Sequence, residues 1–191
     1  MAENITRKQV ELKFREFAKL VIERAQSNLR ISQYVTQMTS KGMKRRKVKR
    51  VASGRLEKAL TYKLDMSRVQ YVEMLFSAKG KAKDYYGVIE EGRGANKTPP
   101  PYKDIMKWVA KKKIQPRDRT GKFLQKLKTK DEKKAMAIAI AKHIGKYGFA
   151  GIHYYRDAVN DVMDEKSNEF TTAYAQYLSI DLAREWESKT K

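Results

Sequence analysis

The chain has 191 residues, carries 43 Lys and Arg against 22 Asp and Glu for a formal net charge of +21, and contains no cysteine. Its 41% hydrophobic residues exclude wholesale disorder, and the missing cysteine excludes a disulfide framework or a thiolate metal site. No apolar run approaches the ~20 residues of a membrane span and no apolar h-region opens the chain, so neither a membrane contact nor a secretion signal is expected.

Thr6 and Gln9 form a capping box, and Val10, Phe14, Phe17, Val21, Ala25 and Leu29 recur every three or four residues behind it. That spacing predicts an amphipathic helix over residues 7–30. Residues 40–54 break the pattern with Ser, Gly and closely packed cations, whose mutual repulsion predicts an exposed flexible loop. Ser53 to Leu56 opens a short helix reaching about Leu60. Tyr62 and Leu64 alternate with Lys63 and Asp65 as a strand does, and residues 69–76 read as a second strand after a Ser67-Arg68 turn.

Residues 85–114, YYGVIEEGRGANKTPPPYKDIMKWVAKKKI, concentrate the most structure in the shortest length. Val88 and Ile89 suit a half-buried strand, although residues 85–90 equally open a helix. Gly92 and Gly94 permit a tight turn, and Pro99, Pro100 and Pro101 impose an extended approach to the next segment. There Ile105, Trp108 and Val109 recur at helical spacing, with Lys103, Asp104, Lys107 and Lys111 on the other face. Residues 115–130 are polar and basic and read as a loop or an extended hairpin arm anchored by Phe123, Leu124 and Leu127.

Asp131 and Glu132 place acid in the first turn of another helix, whose small face is Ala135, Ala137, Ile138, Ala141 and Ile144 and whose end is Gly145 or Gly148. A last helix starts near Arg156. After Glu165 it continues or restarts, with Phe170, Tyr174, Tyr177, Leu178 and Leu182 on one side. The expected fold class is α+β: a small antiparallel sheet packed on a long N-terminal helix, with further C-terminal helices and extended basic loops. Residues 1–160 read as one domain with basic loops 40–54 and 115–130, and residues 161–191 as a helical extension.

Reaction chemistry is sparsely represented. His143 and His153 are the two histidines, no Gly-X-Ser-X-Gly elbow or Gly-X4-Gly-Lys-Ser/Thr loop occurs, and Gly92 and Gly94 precede prolines instead of a helix. Glu90-Glu91 could hold a divalent cation, yet Asp-X-Lys and Glu-X-Lys triplets arise freely in a chain with 34% charged residues. The sequence therefore leads to no catalytic residue, no cofactor, no metal and no enzymatic activity. Glu90 reads better as a polar anchor that accepts hydrogen bonds from the Gly-rich turn or pairs with Arg93.

The charge is uneven. Residues 41–50 hold seven cations and no acid, residues 103–130 hold eleven cations against Asp104 and Asp118, and residues 157–191 hold eight acids against four bases. Lys44, Arg45, Arg46, Lys47, Lys49, Arg50, Arg117, Arg119 and Lys122 are accordingly the candidate contacts to phosphate or to an acidic partner. Subunits stacking head to tail would use such asymmetry, and so would a protein gripping nucleic acid by its middle. No helix-turn-helix, zinc-finger or RNA-recognition signature is present, so a nucleic-acid contact would be to the backbone.

The ordered set Tyr85 or Tyr86, Ile89, Glu90, Gly92, Pro99, Pro100, Ile105, Trp108 and Lys111 to Lys113 resembles the tail-completion or head–tail neck proteins of tailed bacteriophages. So does the alanine-rich helix from Ala135 with its Gly-containing, aromatic ending, AMAIAIAKHIGKYGFAGIHYYRDAV. The resemblance spans about residues 53–160. It departs at Glu91, where the family more often has an aromatic or apolar residue, and at Ile152 to Tyr155, which replace a proline-plus-Phe ending. The resemblance implies a structural virion protein in an oligomeric ring at the neck, assembled in the host cytoplasm, with portal or connector and tail proteins as partners. Glu90, Gly92, Pro99, Pro100 and Trp108 would be its motif or interface anchors. Non-specific contact with the genomic DNA fits that location, but a densely cationic channel wall would retard sliding DNA. Most basic residues are therefore expected to face partner proteins or the periphery of the neck.

Overall fold

The computed structural model describes residues 6–39, 41–48, 54–67, 71–112, 114–116, 122 and 129–190. In chain order the elements are α1 (Arg7–Arg30), β1 (Gln33–Thr39), β2 (Gly42–Val48), α2 (Arg55–Ala59), β3 (Leu60–Asp65), β4 (Glu73–Ala78), a 3₁₀ turn (Gly80–Ala82) and α3 (Tyr86–Glu91). Next come β5 (Gly92–Arg93), α4 (Tyr102–Lys112), α5 (Lys130–Tyr147), β6 (Phe149–Ala150) and α6 (Tyr154–Lys189). The class is α+β, as expected. Among the described residues the strands form three separate two-stranded antiparallel ladders, β1-β2, β3-β4 and β5-β6, in place of one small sheet. Among the described residues no helix is long and apolar enough to cross a membrane.

The chain divides into two compact units: residues 1–31, 55–86 and 153–191 form the first, and residues 32–54 and 87–152 the second. In the first, α1 begins at the expected capping box, the Thr6 hydroxyl accepting from Gln9 N and the Gln9 side chain accepting from Thr6 N. Val10, Phe14, Phe17, Ala18, Val21, Ala25 and Leu29 are buried along one face. α1 packs against α6, whose buried residues include Tyr154, Tyr155, Ala158, Val162, Ala173 and Tyr177. The pairing is antiparallel: Arg7 approaches Asp181, Phe14 stacks edge-on against Phe170 and Tyr177, Arg24 bridges Asp161 and Glu165, and the Asn28 amide donates to the Tyr154 carbonyl. Twenty-four residues of α1 span ~36 Å, so the seam is long for a chain of this size.

The β3-β4 hairpin packs beside this seam. Leu64, Met66 and Val72 cover the cluster of Val10, Phe14, Ala173 and Tyr177, and the Tyr155 hydroxyl donates to the Ser77 carbonyl at 2.6 Å. The second strand occupies Glu73–Ala78, later than the expected 69–76, of which residues 69 and 70 lie outside the described residues. α6 is one uninterrupted helix from Tyr154, so residue 160 falls inside it, and its C-terminal half packs on α1 through Ala173 and Tyr177.

In the second unit, of the strand and the helix left open for residues 85–90, the chain takes the helix, α3. Six residues are too few for a period to declare itself, and helical winding buries Glu90 while leaving Val88 exposed. Residues 42–48 are a strand and not a loop. Each cation of β2 faces a neutral partner on β1 (Lys44 opposite Gln37, Arg45 opposite Thr36, Arg46 opposite Val35, Lys47 opposite Tyr34), and the pleat sends successive cations to opposite faces. Repulsion that would oppose a collapsed loop is thereby relieved by extension. The loop expected at 115–130 falls largely on residues outside those described.

Phe14 is fully buried against two rings, so Phe14→Ala should lower unfolding free energy by about 3–5 kcal/mol in urea titration without abolishing the cooperative transition. A second test concerns Tyr177. Burial, and then its hydrogen bond to Asp181, push the Tyr177 phenol up from 10 to about 12. The folded state thus holds the proton more tightly than the unfolded chain. This contribution is fully present below pH 10 and is lost as pH rises toward 12, so urea midpoints over that window should fall more steeply for the wild type than for Tyr177→Phe. Parallel profiles would contradict the assignment.

Candidate functional site

The residues singled out by sequence gather in the second unit, around a crossing of two backbones. α3 ends at Gly92, whose φ of +83° turns the chain into β5. β5 then pairs with β6, Gly92 opposite Ala150 and Arg93 opposite Phe149. A Cβ on Gly92 would lie 2.3 Å from Gly151 N, and one on Gly151 would lie 2.0 Å from the Glu90 carbonyl oxygen. Only hydrogen fits at either position. The Ile152 amide donates to the Ile89 carbonyl at 3.1 Å and closes the crossing.

The same geometry finishes α5. Its N-terminus carries a second capping box, Thr129 with Glu132, and its C-terminus leaves carbonyls that need donors. Gly148 N donates to the Ile144 carbonyl at 2.8 Å, Lys97 N to Gly145 at 2.9 Å and Asn96 N to Lys146 at 3.2 Å. The loop between β5 and α4 is therefore the cap of α5. Asn96 serves it at φ +55°, a conformation Asn tolerates better than most residues. The Arg93 guanidinium holds the loop from within by donating to the Thr98 carbonyl. Beyond it Pro99 lies over Gly145, Pro101 opens α4, and α4 packs on α5.

Glu90 is buried at the end of α3, and Gly92 is the turn itself. Pro99 covers Gly145 from an otherwise exposed position, and Pro100 is half-buried. Trp108 is 41% exposed, and the buried anchor of α4 is Val109. Lys44, Arg45 and Lys47 project from β2 as exposed side chains, and Lys122 is also exposed. Arg46 is placed only by its backbone register opposite Val35. Lys49, Arg50, Arg117 and Arg119 lie outside the described residues.

Three participants were not anticipated. Gly151 and Asn96 belong to the crossing and the helix cap, and Tyr34 sits beneath the cations, its ring centre 5.0 Å from the Arg45 guanidinium carbon and 5.8 Å from Lys47 Nζ. The signal for the hairpin was available: an uncharged run, QYVTQMT, precedes a turn containing Gly42 at φ +89°. β1 in turn lies against β6, so the ribbon stands on the crossing.

The charge divides as unevenly as the fold. The second unit holds 24 Lys and Arg against 6 Asp and Glu, net +18, and the first 19 against 16, net +3. No family model, no curated protein and no solved structure matches the chain.

Gly145 tests the helix-cap geometry. A Cβ there would meet the Lys97 carbonyl oxygen at 2.8 Å and the Pro99 ring at 3.0 Å, whereas one on Gly87 in α3 would meet nothing within 4 Å. Gly145→Ala should cost about 1–3 kcal/mol in urea unfolding despite the better helix propensity of Ala. Gly87→Ala should be neutral or stabilising by up to ~1 kcal/mol.

Proposed function

We propose that this chain is a structural virion protein of a tailed bacteriophage, an adaptor subunit that forms an oligomeric ring at the head–tail neck. The observation that carries the reading is the crossing. The two segments that resemble tail-completion proteins, residues 85–113 and 135–159, are separated by more than twenty residues, yet they meet through β5 and β6 and through the cap that one supplies to the α5 helix of the other. Motifs matched by chance have no reason to complete each other's backbone hydrogen bonding.

Rigidity supports the same reading. A wedge in a ring must keep its shape under load, and each unit is held by a means that resists shear: a long antiparallel helix seam in the first, a side-chain-free crossing in the second. Trp108, half out of α4 beside the half-buried Ile105, offers an aromatic surface of the kind that anchors protein interfaces. Portal or connector and tail proteins are the partners this reading requires, and no catalytic step belongs to it.

Native mass measurement of the purified chain should give a closed oligomer of one stoichiometry, and imaging of mature particles should place its density between portal and tail. Trp108→Ala should shift the oligomer toward monomer by tenfold or more in concentration while the urea transition stays within ~1 kcal/mol. A protein that remains monomeric and is missing from mature particles would end the proposal.

A further inference from the structure

We propose that the β1-β2 ribbon is a sequence-independent clamp for the phosphate backbone of duplex DNA. Register and burial define its outward face. Tyr34, Thr36 and Met38 of β1 stand opposite Lys47, Arg45 and Met43 of β2, and all six are exposed, while Val35, Gln37 and Thr39 on the reverse face are half-buried. Lys41 adds a cation at the turn, and Lys44 remains exposed on the other side. No acid occurs between residues 32 and 54, and among the described residues none of Lys41, Lys44, Arg45 and Lys47 forms an ion pair. Tyr34 braces the two outward cations from below by cation–π contact.

A ribbon of this kind fits its ligand by size. Seven residues of strand extend ~23 Å, and a two-stranded ribbon enters a major groove about 12 Å wide. Over that length duplex DNA presents on the order of 14 phosphate charges. The outward face offers only the Thr36 hydroxyl besides its cations and Tyr34, which is poor equipment for reading bases and sufficient for backbone contact. On the same unit the exposed Lys103, Lys107 and Lys111 repeat every four residues along α4 and add to its positive charge.

A second copy of the chain is the competing occupant, and the charge ledger disfavours it. The acid-rich segment 157–191 has eight carboxylates, but six already face cations within their own unit: Asp157, Asp161, Glu165, Glu169, Asp181 and Glu185. The first unit as a whole is +3, so it has no net excess of acid with which to neutralise a unit of +18. A polyanion does. The inference stands apart from the virion reading and is tested on the purified full chain.

Binding to two duplexes of unrelated sequence, followed by fluorescence anisotropy across a sodium chloride series, should give equal affinities and a steep linear fall of log K with log salt. Replacing Lys41, Lys44, Arg45 and Lys47 together by Gln should flatten that slope by about 3–4, and Arg45→Gln alone by about 1. A charge-matched control on the first unit, Lys8, Lys19, Lys58 and Lys79 to Gln, should leave the slope unchanged. Urea midpoints of all three variants should match the wild type, since every replaced side chain is exposed or lies at the rim of its unit. The proposal is overturned by an unaltered slope in the ribbon variants, by equal flattening in the control, or by loss of self-association with DNA binding intact. Preference for one of the duplex sequences, or for single strands, overturns it as well.

Discussion

The second unit depends on one backbone crossing. β5 and β6 are two residues long each and could not persist as a free ladder, yet three other elements take their positions from them. The crossing sets the exit of α3, directs the chain after β5 into the cap of α5, and gives β1 a strand to lie against. Because Gly92 and Gly151 admit only hydrogen, the two backbones approach more closely than any pair of side-chain-bearing residues allows. The result is a joint with little freedom to slide. An isolated two-stranded ribbon is marginal in water, so β1-β2 relies on this anchorage to hold its extended form.

The first unit solves a different problem. α1 and α6 are amphipathic along their shared seam, and their ends are fixed by polar groups in place of apolar ones. At one end Arg7, Asp181 and Tyr177 form a half-sealed cluster: Arg7 donates to the Met66 carbonyl, its guanidinium lies 5.6 Å from the Tyr177 ring centre, and Asp181 is nearly buried. A buried carboxylate is costly unless compensated, and here the compensation is partial: Arg7 lies 3.9 Å from Oδ1, while Oδ2 has no hydrogen-bond partner among the described residues. At the other end the Asn28 amide and the Tyr154 carbonyl satisfy each other in a buried setting. Polar pairs at both ends fix the register of the seam, because sliding one helix by a turn would bury each partner alone.

Legibility in the sequence tracks the length of each signal. α1 was readable because a capping box and six apolar positions agreed over twenty-four residues, and α4 and α5 because amphipathic spacing and terminal charge agreed over eleven and eighteen. α3 was ambiguous because its six residues fit either period, and only docking against residues 150–152 decides between them. The pairing of β5 with β6 had no sequence signature, since two residues carry no alternation and their partner lies far along the chain. The basic segment misled for an instructive reason. Charge density was read as a property of a linear string, whereas in a strand it is divided between two faces and set against a neutral neighbour. Of the candidate site residues, Gly92 and Pro99 were placed by their backbone demands. Trp108 is half-exposed, and the smaller Val109 is the buried residue of α4.

The same division of charge bears on how an adaptor and a phosphate clamp could coexist. A ring of the proposed kind would bring several second units, each of net +18, into proximity, and their repulsion would weaken closure at low salt. Neutralisation by a shared polyanion removes that penalty and couples the two events: DNA bound across neighbouring ribbons would favour the closed ring, and the closed ring would raise the local cation density seen by DNA. Dense cations along a channel would impede a sliding genome. On a ribbon rooted in one crossing they would act at one level of the proposed ring instead of along its length. Under that proposal it is the placement of the cations on a short braced ribbon, and not their number, that would reconcile binding with passage.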